Sequence, residues 1–270
     1  MIISCPAKLN LFLHITGRRA DGYHLLQTVF QLIDYGDTLH INPRSDDALC
    51  FTCSEPALAG EDNLVLRAAR ALRDATGTRL GADLHLDKRI PAGAGLGGGS
   101  SDAASALLGL NRLWQTGLDE DALAAIGLRL GADVPLFVRG RSAWAEGVGE
   151  VLIPVDLPPR FFLVITPDCH VSTGEIFSHQ ELTRDTTAIK MAAFLEGHTR
   201  NDCENVVRSL YPPVDEALKW LNQFASARMT GTGASLFAAF DSEQQAIALL
   251  NRLPQGMQGF VARSLSERPD

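Results

Sequence analysis

The chain lacks any apolar run near the roughly 18–20 residues a helix needs to cross a bilayer, which argues against a helical membrane span and a membrane partner. It opens Met-Ile-Ile-Ser-Cys-Pro-Ala-Lys, without the basic stretch and long apolar core of a secretory signal, so a cytoplasmic protein is expected. It also lacks a basic excess. Against 24 Lys and Arg stand 32 Asp and Glu, a net charge of −8. No nucleic-acid partner is expected, because phosphate backbones are held by clustered positive charge. A local basic cleft for a polyphosphate stays compatible with that balance. Cysteines number five, an odd count for a paired framework. Cys50 and Cys53 form one C-x-x-C with no second pair or histidine at zinc spacing, so reduced structural thiols are expected. Internal repeats and low-complexity segments are absent too.

What is present suits an enzyme-sized globular protein. At 270 residues the chain fits one large domain or two smaller ones sharing a cleft. Alternating apolar and polar residues predict strands over 2–16, 27–35, 37–42, 48–54 and 82–88, the second and third divided at Gly36. Helical spacing predicts helices over 63–75, from the end of the glycine loop to about 113, and over 120–130. Phe137-Val138 and Trp144 to Glu146 read as strand or turn. The prolines at 154–159 suggest a boundary, giving domains 1–153 and 154–270. Beyond it a buried strand (161–166) leads to helices over 175–179, 202–210, 215–224 and 242–252, with a short last strand at 259–262. Strands and helices mix without regular alternation, so the expected class is α+β.

The densest signal lies at residues 91–101. Pro91, Ala92, Gly93, Ala94, Gly95 and Leu96 lead into Gly97, Gly98, Gly99, Ser100 and Ser101, and a strong helical run follows at once. Glycines let main-chain N–H groups approach a ligand with no Cβ in the way. The N-terminus of a helix adds unpaired donors and partial positive charge. A phosphate cradle is therefore expected. It is not a P-loop, since Ser100 rather than lysine follows the last glycine. A dinucleotide pattern is literally present at Gly93, Gly95 and Gly98. Its context fails, because Lys88-Arg-Ile-Pro91 precedes it and no strand ending in an acidic residue follows at the needed distance.

Other residues admit two readings each. Lys8 lies in an apolar strand, where a lysine either keeps its head in water at an edge or serves chemistry. Asp133 either caps a turn at Pro135 or acts on a substrate. Tyr23 and His24 follow a glycine; such a ring pair either packs or takes a base by stacking and hydrogen bonding. Lys88 and Asn63 read equally as surface charge and helix cap or as nucleotide contacts.

Five collinear segments resolve the choice by resemblance. Ala7-Lys-Leu-Asn-Leu-Phe-Leu, Arg19-Ala-Asp-Gly-Tyr-His, the glycine loop, Gly131-Ala-Asp-Val-Pro-Leu-Phe and Thr230-Gly-Thr-Gly-Ala-Ser together resemble the GHMP family of small-molecule kinases. The resemblance implies a two-domain fold with a cleft between an ATP-binding and a substrate-binding half. It implies Lys8 and Asp133 as the catalytic pair, and ATP held by residues 91–101 with Asn63 and Lys88. It implies a cytidine diphosphate substrate, its base held by Tyr23, His24 and Phe177 with Asn10 nearby. The loop at 230–235 is implied to support the nucleotide loop. Mg2+ is implied as cofactor with its ligands unknown; Ser101 or water alone are the options. A monomer or weak homodimer is expected. Another substrate within the family, or a dinucleotide-dependent oxidoreductase, stands as the alternative.

Overall fold

A computed structural model describes residues 1–269. The chain begins with a long hairpin, β1 (Ile2–Arg18) and β2 (His24–Arg44). Instead of two strands divided at Gly36, residues 24–44 form one continuous strand. Gly36 sits where the pairing register shifts, and a Cβ there would meet the Cys5 carbonyl at 2.4 Å. A glycine in a strand here marks a close approach of two backbones, not a break.

The first half continues with β3 (Leu49–Cys53), α1 (Leu64–Thr76), β4 (Gly81–Asp87), α2 (Gly98–Trp114), α3 (Glu120–Leu128), α4 (Val134–Arg139), β5 (Ala143–Glu146) and β6 (Val151–Pro154). Asn63 caps α1 by accepting from Val65 N at 2.9 Å, and Gly77 ends it in the left-handed region at φ 72°. Phe137 and Val138 belong to a helix, not to a strand or turn; Pro135 in its first turn suits a helix start. Cys50 and Cys53, three residues apart on β3, are free thiols: Cys50 is exposed and Cys53 packs against the core.

The second half holds β7 (Phe161–Thr166), α5 (Thr173–Ser178), α6 (Met191–Leu195), α7 (Glu204–Leu210), α8 (Pro212–Leu221), β8 (Ala227–Met229), β9 (Leu236–Phe240), α9 (Glu243–Leu250) and β10 (Gln258–Leu265). The sheet runs β3-β4-β2-β10-β7-β9-β8, with β1 and β5 also paired to β2. Only β3 with β4 is parallel among these named pairings. The expected last short strand is thus eight residues long, and it joins the halves by pairing both β2 and β7.

One apolar core packs β1, β2 and β4 against α1–α4; its buried members all lie within residues 3–145. A second packs β7 and β9 with α5, α7, α8 and α9, and takes in Leu13 and Ile15 of β1. A smaller cluster bridges them, and it contains Ile90, Ala94 and Leu96. Alternate residues of the glycine loop are thus anchored inward. Between them Gly93, Gly95 and Gly97 turn through positive φ of 66°, 75° and 75°. Among the described residues no helix is long and apolar enough to cross a membrane.

Candidate active site

The glycine loop is a wall with a cavity on each side. One cavity, of about 400 Å³, is lined by Asn63, Lys88, Asp102 and the run from Pro91 to Ser100. The other, of about 730 Å³, is lined by Lys8, Asn10, Tyr23, His24, Asp133 and Phe177 among others. Gly95, Gly97 and Ser100 belong to both. All six side chains expected on the acceptor side therefore meet in one space, although they come from β1, the turn after it, β2, α5 and the turn before α4.

Glycine is required in this wall for reasons of space. A Cβ on Gly95 would lie 2.3 Å from the Thr230 carbonyl, and one on Gly97 would lie 2.9 Å from the Phe137 ring and 3.1 Å from Lys8 Cε. Helix α2 starts at Gly98, earlier than the residues after the loop suggest, with Gly97 as its cap. Its first N–H groups therefore belong to the loop itself. Ala94 and Leu96 bury their side chains, so what they offer a ligand is main chain. Ser101 is buried, lines neither cavity, and its hydroxyl finds no protein partner. From the second half, Thr230 Oγ1 donates to Gly95 O at 3.2 Å, and Ser235 N donates to Ala94 O at 3.2 Å. That loop braces the glycine wall, as expected.

Lys8 is bound to the wall twice. Its N–H donates to Leu96 O at 3.0 Å and its ammonium to Gly95 O at 3.0 Å. The ammonium also donates to Asn10 Oδ1 at 2.6 Å and stands 3.4 Å from Asp133 Oδ2. The lysine is buried and does not snorkel at a strand edge. Asp133 precedes α4 but makes no side-chain cap bond; its carboxylate, 30% exposed, turns toward Lys8 and the cavity. Asn10 commits both ends of its amide inside the protein, since Nδ2 donates to Thr28 Oγ1 at 3.0 Å. It fixes the lysine head as well as lining the cavity.

At the far end, Tyr23 is 64% exposed at the cavity rim. His24 and Phe177 stack on each other, centroids 5.0 Å apart at 19°. Arg184 donates from Nε to His24 Nε2 at 3.1 Å. Burial, then the charges of Arg184 and Arg18, hold the His24 ring below the ordinary histidine range. Nothing in the sequence singles out Arg184, which lies in a polar loop with no motif around it.

On the side of the smaller cavity Lys88 is already charge-matched. Its ammonium donates to Asp37 Oδ2 at 2.5 Å and Asp102 Oδ2 at 2.8 Å, both carboxylates buried. Burial lowers the Lys88 ammonium, but Asp102 and Asp37 outweigh it and the net direction is upward. Burial pushes Asp102 up to about 7, against the pull of Lys88 and with the help of Asp37. Asp37 also takes the N–H groups of Arg89 and Ile90 at 2.5 and 2.8 Å, so this triad fixes the entry to the glycine loop. Asn63 lines the same cavity while its amide serves the α1 cap and Leu58 O at 2.8 Å. Among the described residues no group of three or more His, Cys, Asp or Glu could hold a metal.

Comparison with known proteins agrees with this arrangement. Residues 63–141 match the GHMP kinases N terminal domain and residues 180–259 the GHMP kinases C terminal domain. The chain is 57% identical over 267 residues to the 4-diphosphocytidyl-2-C-methyl-D-erythritol kinase of Halorhodospira halophila, covering 98% of this chain and 93% of that one. It is 51% identical over 280 residues to the enzyme of the same name from Hahella chejuensis, covering 100% and 95%. A crystal structure of 4-(cytidine 5'-diphospho)-2C-methyl-D-erythritol kinase superposes with a TM-score of 0.85 at 34% identity, over 98% of this chain and 99% of that one. With its two lobes, its glycine wall and its Lys8–Asp133 pair, the chain belongs to the GHMP kinases and closely resembles 4-diphosphocytidyl-2-C-methyl-D-erythritol kinase.

Proposed function

We propose that this chain transfers the γ-phosphoryl group of ATP to the 2-hydroxyl of 4-diphosphocytidyl-2-C-methyl-D-erythritol, a step in non-mevalonate isoprenoid precursor biosynthesis. One observation carries the reading: a glycine wall parts two cavities, and on its larger side Lys8, bonded to the wall at Gly95 O and Leu96 O, stands 3.4 Å from Asp133. Donor and acceptor each have a side, and the reacting atoms have a common edge. The domain division at 153/154 rests on the two main apolar cores, the first assigned to ATP and the cleft to the cytidine substrate.

The residues fit a polyphosphate. Gly93 to Ser100 present main chain to the smaller cavity, and α2 directs its N-terminal donors there. ATP bound there supplies the phosphoryl group, with Mg2+ neutralising its charge. For that ion Asp102, which lines this cavity and leaves Oδ1 without a partner, would be the group the chain offers; Ser101 Oγ is also without a partner but lines neither cavity. Asp133 orients the acceptor hydroxyl and receives its proton at Oδ2 or Oδ1. Lys8, 3.4 Å from that carboxylate, holds positive charge beside the forming alkoxide. In a loose transition state the positioning by these two groups outweighs early deprotonation. At the other end Tyr23, His24 and Phe177 hold the cytosine, so that the polyol reaches Asp133.

The test is a coupled ATP-consumption assay with the cytidine diphosphate substrate and with the same polyol phosphate lacking the cytidylyl group. Phosphorylation of the first alone is expected, with ADP and product formed one to one. Equal turnover of both, or of mevalonate, homoserine or galactose in their place, would contradict the reading.

A further inference from the structure

Arg184 is 160 residues from its closest side-chain partner, His24. One guanidinium joins two sides of the larger cavity. Its Nε donates to His24 Nε2 at 3.1 Å, Nη2 to the carbonyls of Phe177 and His179 at 3.0 and 2.7 Å, and Nη1 to Leu182 O at 3.1 Å. The end of α5 is thereby bolted to the start of β2, and the His24–Phe177 stack is held between them.

A guanidinium has five N–H groups and no lone pair. His24 Nε2 must therefore be the accepting nitrogen, and the ring's one hydrogen sits on Nδ1. No protein group among the described residues hydrogen-bonds Nδ1, and the atom is not sealed in the interior. The ring lines the larger cavity beside Tyr23 and Phe177. An imidazolium would turn an N–H toward the Arg184 charge, with Arg18 adding to the repulsion.

We propose that Arg184 is a positioning residue that locks His24 as an Nδ1–H donor and so selects cytosine over uracil. This rests on the reading of the larger cavity as the cytidine site. The edge of cytosine at N3 and O2 only accepts. Uracil carries a hydrogen on N3, so a fixed donor meets a donor and one of them goes unpaired on binding. Sites built to hydrogen-bond a substrate reject an analogue that cannot pair far better than apolar pockets reject one methylene. At this half-exposed site, where water can still reach the unpaired donor, a smaller discrimination of about 10–100-fold is expected.

The test pairs spectroscopy with kinetics. In the 15N-labelled full-length protein, two-bond 1H–15N correlation should find His24 neutral with its hydrogen on Nδ1. In Arg184→Met the tautomer should become mixed or move to Nε2, and the ring should titrate at higher pH than in the wild type. That variant should lose about 10–100-fold in kcat/KM for the cytidine substrate, through KM, with kcat nearly unchanged. With the uridine analogue the same variant should change little. Arg184→Lys, which keeps a donor for Nε2, should retain the tautomer and much of the preference. Equal losses on both substrates in Arg184→Met would reduce Arg184 to a prop for α5 and overturn the proposal. A wild-type spectrum with the hydrogen on Nε2 overturns it regardless of how the variants fold. A wild-type enzyme that does not prefer cytidine to uridine at all also overturns it, whereas failure to phosphorylate the cytidine diphosphate substrate contradicts the substrate reading, which separates the two failures.

Discussion

The two cavities flanking the glycine wall are built from different materials. The smaller takes its lining from two short stretches, 57–64 and 88–102, and much of that lining is main chain. The larger draws side chains from residue 8 to residue 232, and its rings meet only because β1, β2, α5 and the loop beyond it converge. The first site is part of the fold: Ala94 and Leu96 are core residues, and Lys88 closes a buried ion triad. The second is laid onto the fold, with Tyr23 exposed at its rim. Damage to the first should therefore cost stability as well as nucleotide binding. Damage to the rim of the second should cost affinity alone.

The largest expected effect is Lys88→Met. It leaves Asp37 and Asp102 buried without their cation, and losing one partner of a buried ion pair costs about 3–5 kcal/mol. Chemical denaturation should read that loss; an unchanged midpoint would break the comparison at once. Gly95→Ala comes next. The position is at φ 75° and its Cβ would meet the Thr230 carbonyl at 2.3 Å, backbone against backbone. A left-handed non-glycine residue costs about 1–3 kcal/mol where it can be accommodated at all. The KM for ATP should rise at least tenfold while the Kd for the cytidine substrate changes less. Smallest is Tyr23→Ala. Loss of one aromatic stack is worth about 1 kcal/mol, so the KM for the cytidine substrate should rise several-fold. Melting temperature and the KM for ATP should stay at wild-type values, and a fall in melting temperature would show the rim to be part of the core.

The same contrast explains what could be read from the chain. Residues 91–101 announce themselves by composition, because a main-chain site needs glycines in a row. Asn63 as a cap, Gly77 as a stop and the strands at 2–16 and 82–88 follow from local spacing, and the structure has them. Gly36 misleads because the carbonyl that crowds it belongs to Cys5, which no window around residue 36 contains. Phe137 and Val138 mislead for a related reason: α4 is six residues long, too short for its period to show. Lys8 and Asp133 could be paired in advance only through family resemblance, since 125 residues separate them and each has an ordinary local reading. Arg184 has no local signal at all. Its role exists only in the convergence of α5 with β2.

The central claim is that two substrates occupy two sides of one wall and meet at Asp133. Equilibrium titration of Asp133→Asn with a non-hydrolysable ATP analogue and with the cytidine diphosphate substrate tests it most directly. Each ligand should bind with one equivalent and near wild-type affinity, singly and in the presence of the other, while turnover falls about 10²–10⁴-fold. Mutually exclusive binding of the two ligands, or near-normal turnover in this folded variant, would contradict it.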